Sequence, residues 1–518
     1  MTDSTAAWIR TRRRSPAISA INRVVASRIA VVAVIALAGA CSRADDPHGS
    51  PAAQEAPGAA MRAALSTPQP ASGAATRSSV PAMRPSPGSA TRSSLHASRA
   101  TPPVESRSFS LRARPLSAAA RAGKQLFFEK ALSASGQMAC ATCHDPAHAY
   151  GPPDGRAVQL GGPRGTSPGL RAVPSLRYKE FTPGYADLLD NADGFSPPGP
   201  GGGLGWDGRA DSLAEQARIP LLSPFEMANA TPAAVVARLR ASPSANVFVE
   251  AFGAEALADA EVAFARLGLA LQSFQLEDPS FHPYSSRYDR SLFQQPGGEL
   301  SRAELRGRAV FVDPRTGNCF GCHFSDASLD DGAPPQLTDF SYEAIGVPRN
   351  PLIPANRDRR YHDLGVCGPQ RDDHTAFPEF CGLFKTPTLR NVATRGALFH
   401  NGVIHSLEQA IRFYNTRDTR PEIWYPTVGG RAKAKPDPDF PRYGLITTQY
   451  VGGTVQKYDD LPLAHRGNLD AQLPLDGRAA GSESPMTEPQ VHDLICFLRT
   501  LTDEDQASTV APFDGCAS

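Results

Sequence analysis

Cys140-Ala141-Thr142-Cys143-His144 and Cys319-Phe320-Gly321-Cys322-His323 are the stretches of this chain best equipped for chemistry. In Cys-x-x-Cys-His the two thiols add across the vinyl groups of a haem, and the adjoining histidine becomes the proximal ligand of its iron. Two such pentapeptides predict two covalently bound haem c groups, with His144 and His323 on the irons. A structural zinc site competes for the same residues. It needs four Cys or His ligands closing a tetrahedron, and gives no reason for a histidine directly after the second cysteine both times.

At 518 residues the chain has room for two or three domains. Its net charge is +1, unevenly spread: residues 1–108 carry 13 Arg and 5 acidic residues, or +8, leaving −7 for the rest. A mildly acidic body predicts no nucleic-acid partner and suits a basic redox partner. Residues 1–41 read as an export signal, with Arg12-Arg13-Arg14 ahead of a 12-residue apolar run, Ile29 to Ala40. That run is short for a membrane span and fits a signal-peptide core. It ends in Leu37-Ala38-Gly39-Ala40-Cys41, which resembles a bacterial lipoprotein box with the leucine one place upstream. Lipidation of Cys41 and ordinary cleavage near Ala40 both stand. Either outcome places the protein in the periplasm, where this kind of haem attachment occurs, with membrane contact only through a lipid anchor. Residues 42–108, rich in Ala, Pro, Ser and Arg and without a hydrophobic period, read as a disordered linker.

The elements that must position the two motifs are helical. Ser117–Phe128 forms a helix, and the loop 132–136 delivers the first motif. Helical patterns follow at Pro232–Ala241, Asp259–Phe274 and Glu299–Phe311, the last running into the second motif. Ser406–Asn415 is opened by a Ser406/Gln409 capping box, and a final helix from Thr487 through Leu501 has Pro489 in its first turn and Gln490 completing a box. Tracts 151–205 and 325–385, rich in Gly and Pro, are loops of a length that usually serves function. Little reads as strand, and no repeat shows apart from the haem motif.

The chain resembles the bacterial dihaem cytochrome c peroxidase and MauG family. The likeness is carried by Gly123-Lys124-Gln125-Leu126-Phe127-Phe128, Asp145-Pro146 after the first motif, Trp206-Asp207-Gly208-Arg209, Pro224-Phe225-Glu226-Met227, Lys385-Thr386-Pro387-Thr388-Leu389-Arg390-Asn391 and His400-Asn401-Gly402, in family order. It implies a mainly α fold with long loops: two cytochrome c-like haem domains packed face to face, an N-terminal peroxidatic domain at 109–296 and a C-terminal electron-transfer domain at 297–518. The N-terminal haem would react with hydrogen peroxide. The C-terminal haem would pass electrons from a small redox protein (a cytochrome c or a cupredoxin), or from a protein or organic substrate as in MauG-type oxidation. The alternative is a non-catalytic dihaem electron-transfer cytochrome; a haem-bearing sensor or surface module has only the linker in its favour.

The same resemblance assigns roles. Glu226, placed where Ser223-Pro224 makes the chain leave a helix, would shuttle a proton between peroxide oxygens. Gln216, in a short helix capped by Ser212 and Glu215 and ended by Pro220, would hydrogen-bond in the same pocket. Trp206 would carry electrons between the haems, and Arg209 would pair with a haem propionate. Regulated family members carry a loop histidine that caps the N-terminal iron; here that position is Leu160, which predicts an open or water-bound iron. The family's calcium site between the haems uses an Asn where this chain has Ala172, and carbonyls at what are here Arg395 and Ala397, so calcium would rest on backbone carbonyls and water. Tyr414 recurs with Leu407, Ala410 and Ile411 at helical spacing on a buried face. It stands where family peroxidases place a Met ligand to the second iron and MauG a tyrosine. The competing readings are a core tyrosine, and a thioether from Met486 in the polar stretch before the last helix. Four cysteines remain; in an oxidising compartment the expected pairs are Cys367–Cys381, closing a 13-residue loop worth about 3 kcal/mol in the chain-entropy model, and Cys496–Cys516, although sequence allows three connectivities.

Overall fold

Ser117 Oγ accepts from the Ala120 amide and opens helix α1 (Ala118–Phe127). The computed structural model describes residues 115–190, 198–326, 333–374, 376–432 and 450–517. The expected export signal, Cys41 and the 42–108 linker lie outside them. After α1 come α2 (Cys140–Cys143), α3 (Leu213–Leu222), α4 (Pro232–Ala241), α5 (Ala245–Phe252) and α6 (Ala260–Glu277). Helices α7 (Arg287–Leu292), α8 (Arg302–Val312), α9 (Leu407–Thr416), α10 (Pro421–Trp424) and α11 (Glu488–Arg499) follow. Strands among the described residues are two to four residues long and pair as two-stranded antiparallel ribbons: β1 (Leu160–Gly161) with β2 (Ser167–Pro168), β3 (Ala186–Leu189) with β4 (Gly199–Gly201), β5 (Tyr342–Glu343) with β6 (Phe384–Lys385), and two more beyond. The fold is mainly α, as expected. No helix among the described residues is long and apolar enough to cross a membrane.

Two large hydrophobic cores organise the chain. One gathers Leu126, Phe127, Phe248, Leu267 and Phe274; the other gathers Phe311, Ile411, Leu494 and Phe497. Each is closed by a helix pair at very short range. A Cβ on Gly123 of α1 would lie 1.9 Å from the Ala270 carbonyl oxygen of α6, and one on Gly307 of α8 would lie 1.9 Å from the Asp493 carbonyl oxygen of α11. Both glycine-bearing helices lead into a haem pentapeptide. The two helices share more than the glycine: Ala119 and Ala303 stand four residues before it, and the buried Phe127 and Phe311 four residues after it, a likeness beyond the pentapeptide that the sequence reading missed. Gly123→Ala or Gly307→Ala is expected to destabilise by about 1–3 kcal/mol, seen as a lower urea midpoint. Intrinsic helix propensity predicts the opposite sign, since alanine is favoured over glycine by roughly 1 kcal/mol.

Helix boundaries differ from the sequence reading where context overrides pattern. Helix α3 is not ended by Pro220 but passes through it to Leu222. Proline's missing N–H leaves only the Gln216 carbonyl, four residues earlier, without its helical donor, and in a last turn that loss is tolerated. Helix α6 runs on to Glu277, and α11 stops at Arg499. Helix α5 was not expected: its Ser244 cap makes no side-chain capping bond, so no start signal is written there. Helix α7 also escaped notice, although Ser286 and Asp289 form a full capping box that was legible.

Candidate functional site

The first pentapeptide is wound into α2, where the Thr142 hydroxyl accepts from the Ala139 amide at 2.9 Å and the His144 amide donates to the Cys140 carbonyl at 2.9 Å. His144 Nδ1 lies 3.1 Å from the Tyr150 carbonyl. A carbonyl only accepts, so Nδ1 carries the proton and Nε2 keeps its lone pair. Tyr150 is fixed in turn by stacking on Phe281 at 3.9 Å and by Ser280 at 2.7 Å from its hydroxyl. His323 repeats the device, with Nδ1 2.9 Å from the Leu337 carbonyl. Burial, the largest influence, pushes His144 down to about 4 and lowers His323 as well. Both rings are therefore neutral and present Nε2, the state in which imidazole ligates iron.

Cys140, Cys143, Cys319 and Cys322 are the free cysteines among the described residues. The other described four pair as Cys367–Cys381 and Cys496–Cys516, with Cα–Cα distances of 4.6 and 5.3 Å, as expected.

A cavity opens beside the second pentapeptide, lined by Cys319, Cys322, His323, Tyr414, Met486 and Trp206 among others. Ser406 caps α9 by accepting from the Gln409 amide, and α9 carries Tyr414 to the cavity wall, its ring 5.9 Å from that of Phe399. Desolvation first, then the neighbouring Cys322 and Cys319 sulfurs, raises the Tyr414 phenol above its ordinary value. Met486 is not in a polar setting, as the sequence suggested. It is 3 % exposed and lines the same cavity. Asn415, the residue after Tyr414, holds it there: its Oδ1 accepts from the Met486 amide at 2.8 Å, and its Nδ2 donates to the Met486 carbonyl at 3.0 Å. Both candidate sixth ligands thus face one space.

Besides Arg390, which Asp289 pairs, three cations line this cavity: Lys179, Lys385 and Arg395. Each is part-exposed to the cavity but enclosed by protein. Arg395 Nη2 donates to the Val173 carbonyl at 2.7 Å, and desolvation lowers it to about 10. Desolvation and Arg395 lower Lys179 to about 8. Lys385, whose Nζ meets the Gly203 carbonyl, is lowered well below its usual value by desolvation, then by Lys179. Enclosed cations that repel one another, two of which, Arg395 and Lys385, meet carbonyls rather than carboxylates, favour an anion beside them. A haem, with two carboxylates, is such a ligand, and it also suits the free Cys pairs and the Nε2 lone pairs. Sequence reasoning gave none of the three a role as a charge, although Lys385 stood inside a recognised motif and Arg395 was named for its carbonyl.

Trp206 stands on the wall of the second cavity, and its indole N–H donates to the Ala172 carbonyl at 2.8 Å. Two residues on, the Pro174 carbonyl also bears on His144. Arg209 Nη1 donates to the carbonyl and side-chain oxygens of Gln370 at 3.1 Å each and lies 3.6 Å from Asp207. Arg171, which the sequence reading passed over, is the buried charge here, held by Asp207 and Asp363 at 2.7 Å each.

Glu226 follows the Ser223 C-cap of α3 in a turn, its carbonyl accepting from the Gly162 amide at 2.7 Å. Here glycine is required: a Cβ on Gly161 would fall 2.1 Å from the Phe225 carbonyl oxygen, and Gly162 has φ +80°. Glu226 is exposed at the surface, with protein crowding one side of its carboxyl. Desolvation raises its carboxyl above the ordinary value, against the Ser223 hydrogen bond and the Arg209 charge. It acts electrostatically on Cys140 and Cys143, which sets it beside the first pentapeptide. A carboxyl so placed can take up and release a proton near neutral pH more readily than a solvated one. Gln216 is half-buried on α3, the helix that leads to Glu226. Leu160 lies on β1, 37 % exposed.

The family model for di-haem cytochrome c peroxidases matches residues 117–296. The methylamine utilization protein MauG of Paracoccus denitrificans is 36 % identical over 402 residues, covering 76 % of this chain and 90 % of that one. The cytochrome c551 peroxidase of Pseudomonas aeruginosa is 28 % identical over 307 residues, 58 % of this chain and 73 % of its own. Among solved structures, the diheme peroxidase BthA from Burkholderia thailandensis is similar over 78 % of this chain and 91 % of that one, with 36 % identity and a TM-score of 0.64.

Proposed function

The chain belongs to the di-haem cytochrome c peroxidase and MauG family and is a peroxide-dependent dihaem oxidoreductase; from that premise we propose that it is a periplasmic enzyme reducing hydrogen peroxide in the domain of Cys140–His144 and drawing electrons through the domain of Cys319–His323. The observation that carries this reading is an asymmetry. A carboxyl with raised proton affinity, Glu226, stands beside the first pentapeptide, whereas a phenol, Tyr414, shares the cavity of the second. The first site is equipped to move protons and the second to fill an iron.

Haem, when bound, supplies an iron that takes up peroxide at the first site and electrons that pass between the two. The chain's own residues do the rest. Cys140, Cys143, Cys319 and Cys322 hold the two groups as thioethers, and His144 and His323 bind through Nε2. Lys179, Lys385 and Arg395 would meet the carboxylates of a haem held in the second cavity. The Glu226 carboxylate accepts the proton of one peroxide oxygen and returns it to the other, so that two electrons and two protons convert the peroxide to two waters. Gln216 orients the peroxide from α3, and Trp206 offers an oxidisable indole between the sites. The donor is a small cytochrome or cupredoxin, or a protein or organic substrate. A peroxide titration of the holoprotein tests the reading against a non-catalytic carrier: the absorption spectrum is expected to change within the mixing time of stoichiometric peroxide. A spectrum indifferent to peroxide would reject the enzyme.

Calcium is not expected to be part of the site. The Val173 carbonyl already accepts from Arg395, a fixed positive charge in the stretch that would have to supply oxygens to the ion. Metal analysis of the holoprotein should find iron but no stoichiometric, chelator-resistant calcium; finding it would overturn this.

A further inference from the structure

Two tyrosines that this function leaves unused stand together at the edge of the second cavity. Tyr178 is 3 % exposed, and its ring centroid lies 4.9 Å from that of Tyr284, with the planes tilted by 56°. Arg390, on the cavity wall, sits 4.6 Å from both ring centroids. Each phenol donates to a carboxylate. Tyr178 reaches the two Asp503 oxygens at 2.6 and 2.7 Å, and Tyr284 reaches Glu180 at 2.6 Å. The Tyr284 amide donates to the Tyr178 hydroxyl at 3.3 Å. Both residues hold left-handed backbone, with φ of +61° and +45°. For a bulky side chain that costs on the order of 1–3 kcal/mol and persists only where the surroundings enforce it.

We propose that Tyr178 and Tyr284 form a redox-active pair that gives an electron to the haem centres once peroxide has oxidised them. The electron leaves the phenol ring, the O–H bond breaks, and the proton passes to Asp503 or Glu180, forming a carboxylic acid and a neutral tyrosyl radical. One of the two oxidising equivalents of peroxide then resides on the protein. Burial, followed by the adjacent carboxylates, raises both phenols, so they stay protonated at rest and the hydrogen-bonded carboxylate must take the proton. Arg390 sets the threshold. Asp289 grips it at 2.8 and 2.9 Å, and its charge on both ring faces opposes loss of an electron. Only a strong oxidant, the state that follows peroxide reduction, draws one out. Tyr284 and Glu180 are half-buried rather than sealed, so an equivalent stored there can reach a donor too large to enter the cavity.

The inference rests on the peroxidase reading above, and one experiment separates the two. The holoenzyme is mixed with one equivalent of hydrogen peroxide, frozen, and examined by absorption and EPR. The expected result is an organic-radical signal that narrows when the protein is made with ring-deuterated tyrosine. Most of that signal is lost in Tyr178→Phe and in Tyr284→Phe, while the haem absorption change is retained. The half-buried position of Tyr284 keeps the test open should the Tyr178 variant fail to fold. An absent signal, one insensitive to deuteration, or a full signal in the Phe variants overturns the pair. No haem absorption change at all would instead reject the peroxidase reading.

Discussion

Glu226→Gln is expected to lower kcat for peroxide reduction by about 10²–10⁴-fold, the usual worth of a positioned acid–base group, with both haems still attached. Glutamine keeps the size and a hydrogen-bonding head but cannot carry the proton between oxygens. The pH dependence supplies a second signature. The carboxyl is raised by desolvation, and it must be ionised to accept the first proton. Wild-type kcat/KM should therefore fall as pH drops through a value above the ordinary carboxylate range, and be full above it. The Gln variant should run at its lower level without that acidic limb. Steady-state assays across pH decide the matter. An unchanged kcat, or an acidic limb that survives in the variant, would assign the proton work elsewhere.

Tyr414→Phe should change the low-spin EPR and absorption signals of the second haem and raise its reduction potential. A phenolate stabilises ferric and higher states, and its loss, or replacement by the thioether of Met486, removes that bias. Met486 sharpens the comparison because it lines the same cavity and is tied by backbone bonds to Asn415. Met486→Leu is expected to leave those signals in place. The reverse pattern, with Tyr414→Phe silent and Met486→Leu altered, would make the thioether the ligand. It would also shift the proposed chemistry from MauG-like oxidation toward a conventional peroxidase. Potentiometry with EPR on both variants reads the outcome.

Much of this protein is local and was legible for that reason. The two pentapeptides, the capping residues Ser117, Ser406 and Thr487, and the helical phase that puts Tyr414 inward are short-range facts of spacing. Cysteine pairing was partly legible: 367 with 381 and 496 with 516 are near neighbours in the chain, and loop closure favours them, but only the fold excludes the other connectivities.

What needed the tertiary structure is whatever joins distant segments. Gly123 and Gly307 read as ordinary helical glycines until the carbonyls of Ala270 and Asp493 are found against them. Met486 looked polar by its neighbours in sequence and is apolar by its neighbours in space. Arg209 meets Gln370, some 160 residues away, a contact that no local pattern announces. Lys179, Lys385 and Arg395 come together only in space: Lys385 sits in a recognised motif, but nothing local shows that it is enclosed with two other charges. The sequence by itself determined which chemistry the chain performs, since thiols and histidines at fixed spacing specify the group they hold. The tertiary structure decided which other side chains surround that group, because desolvation, charge and close packing act through distance in space and not along the chain.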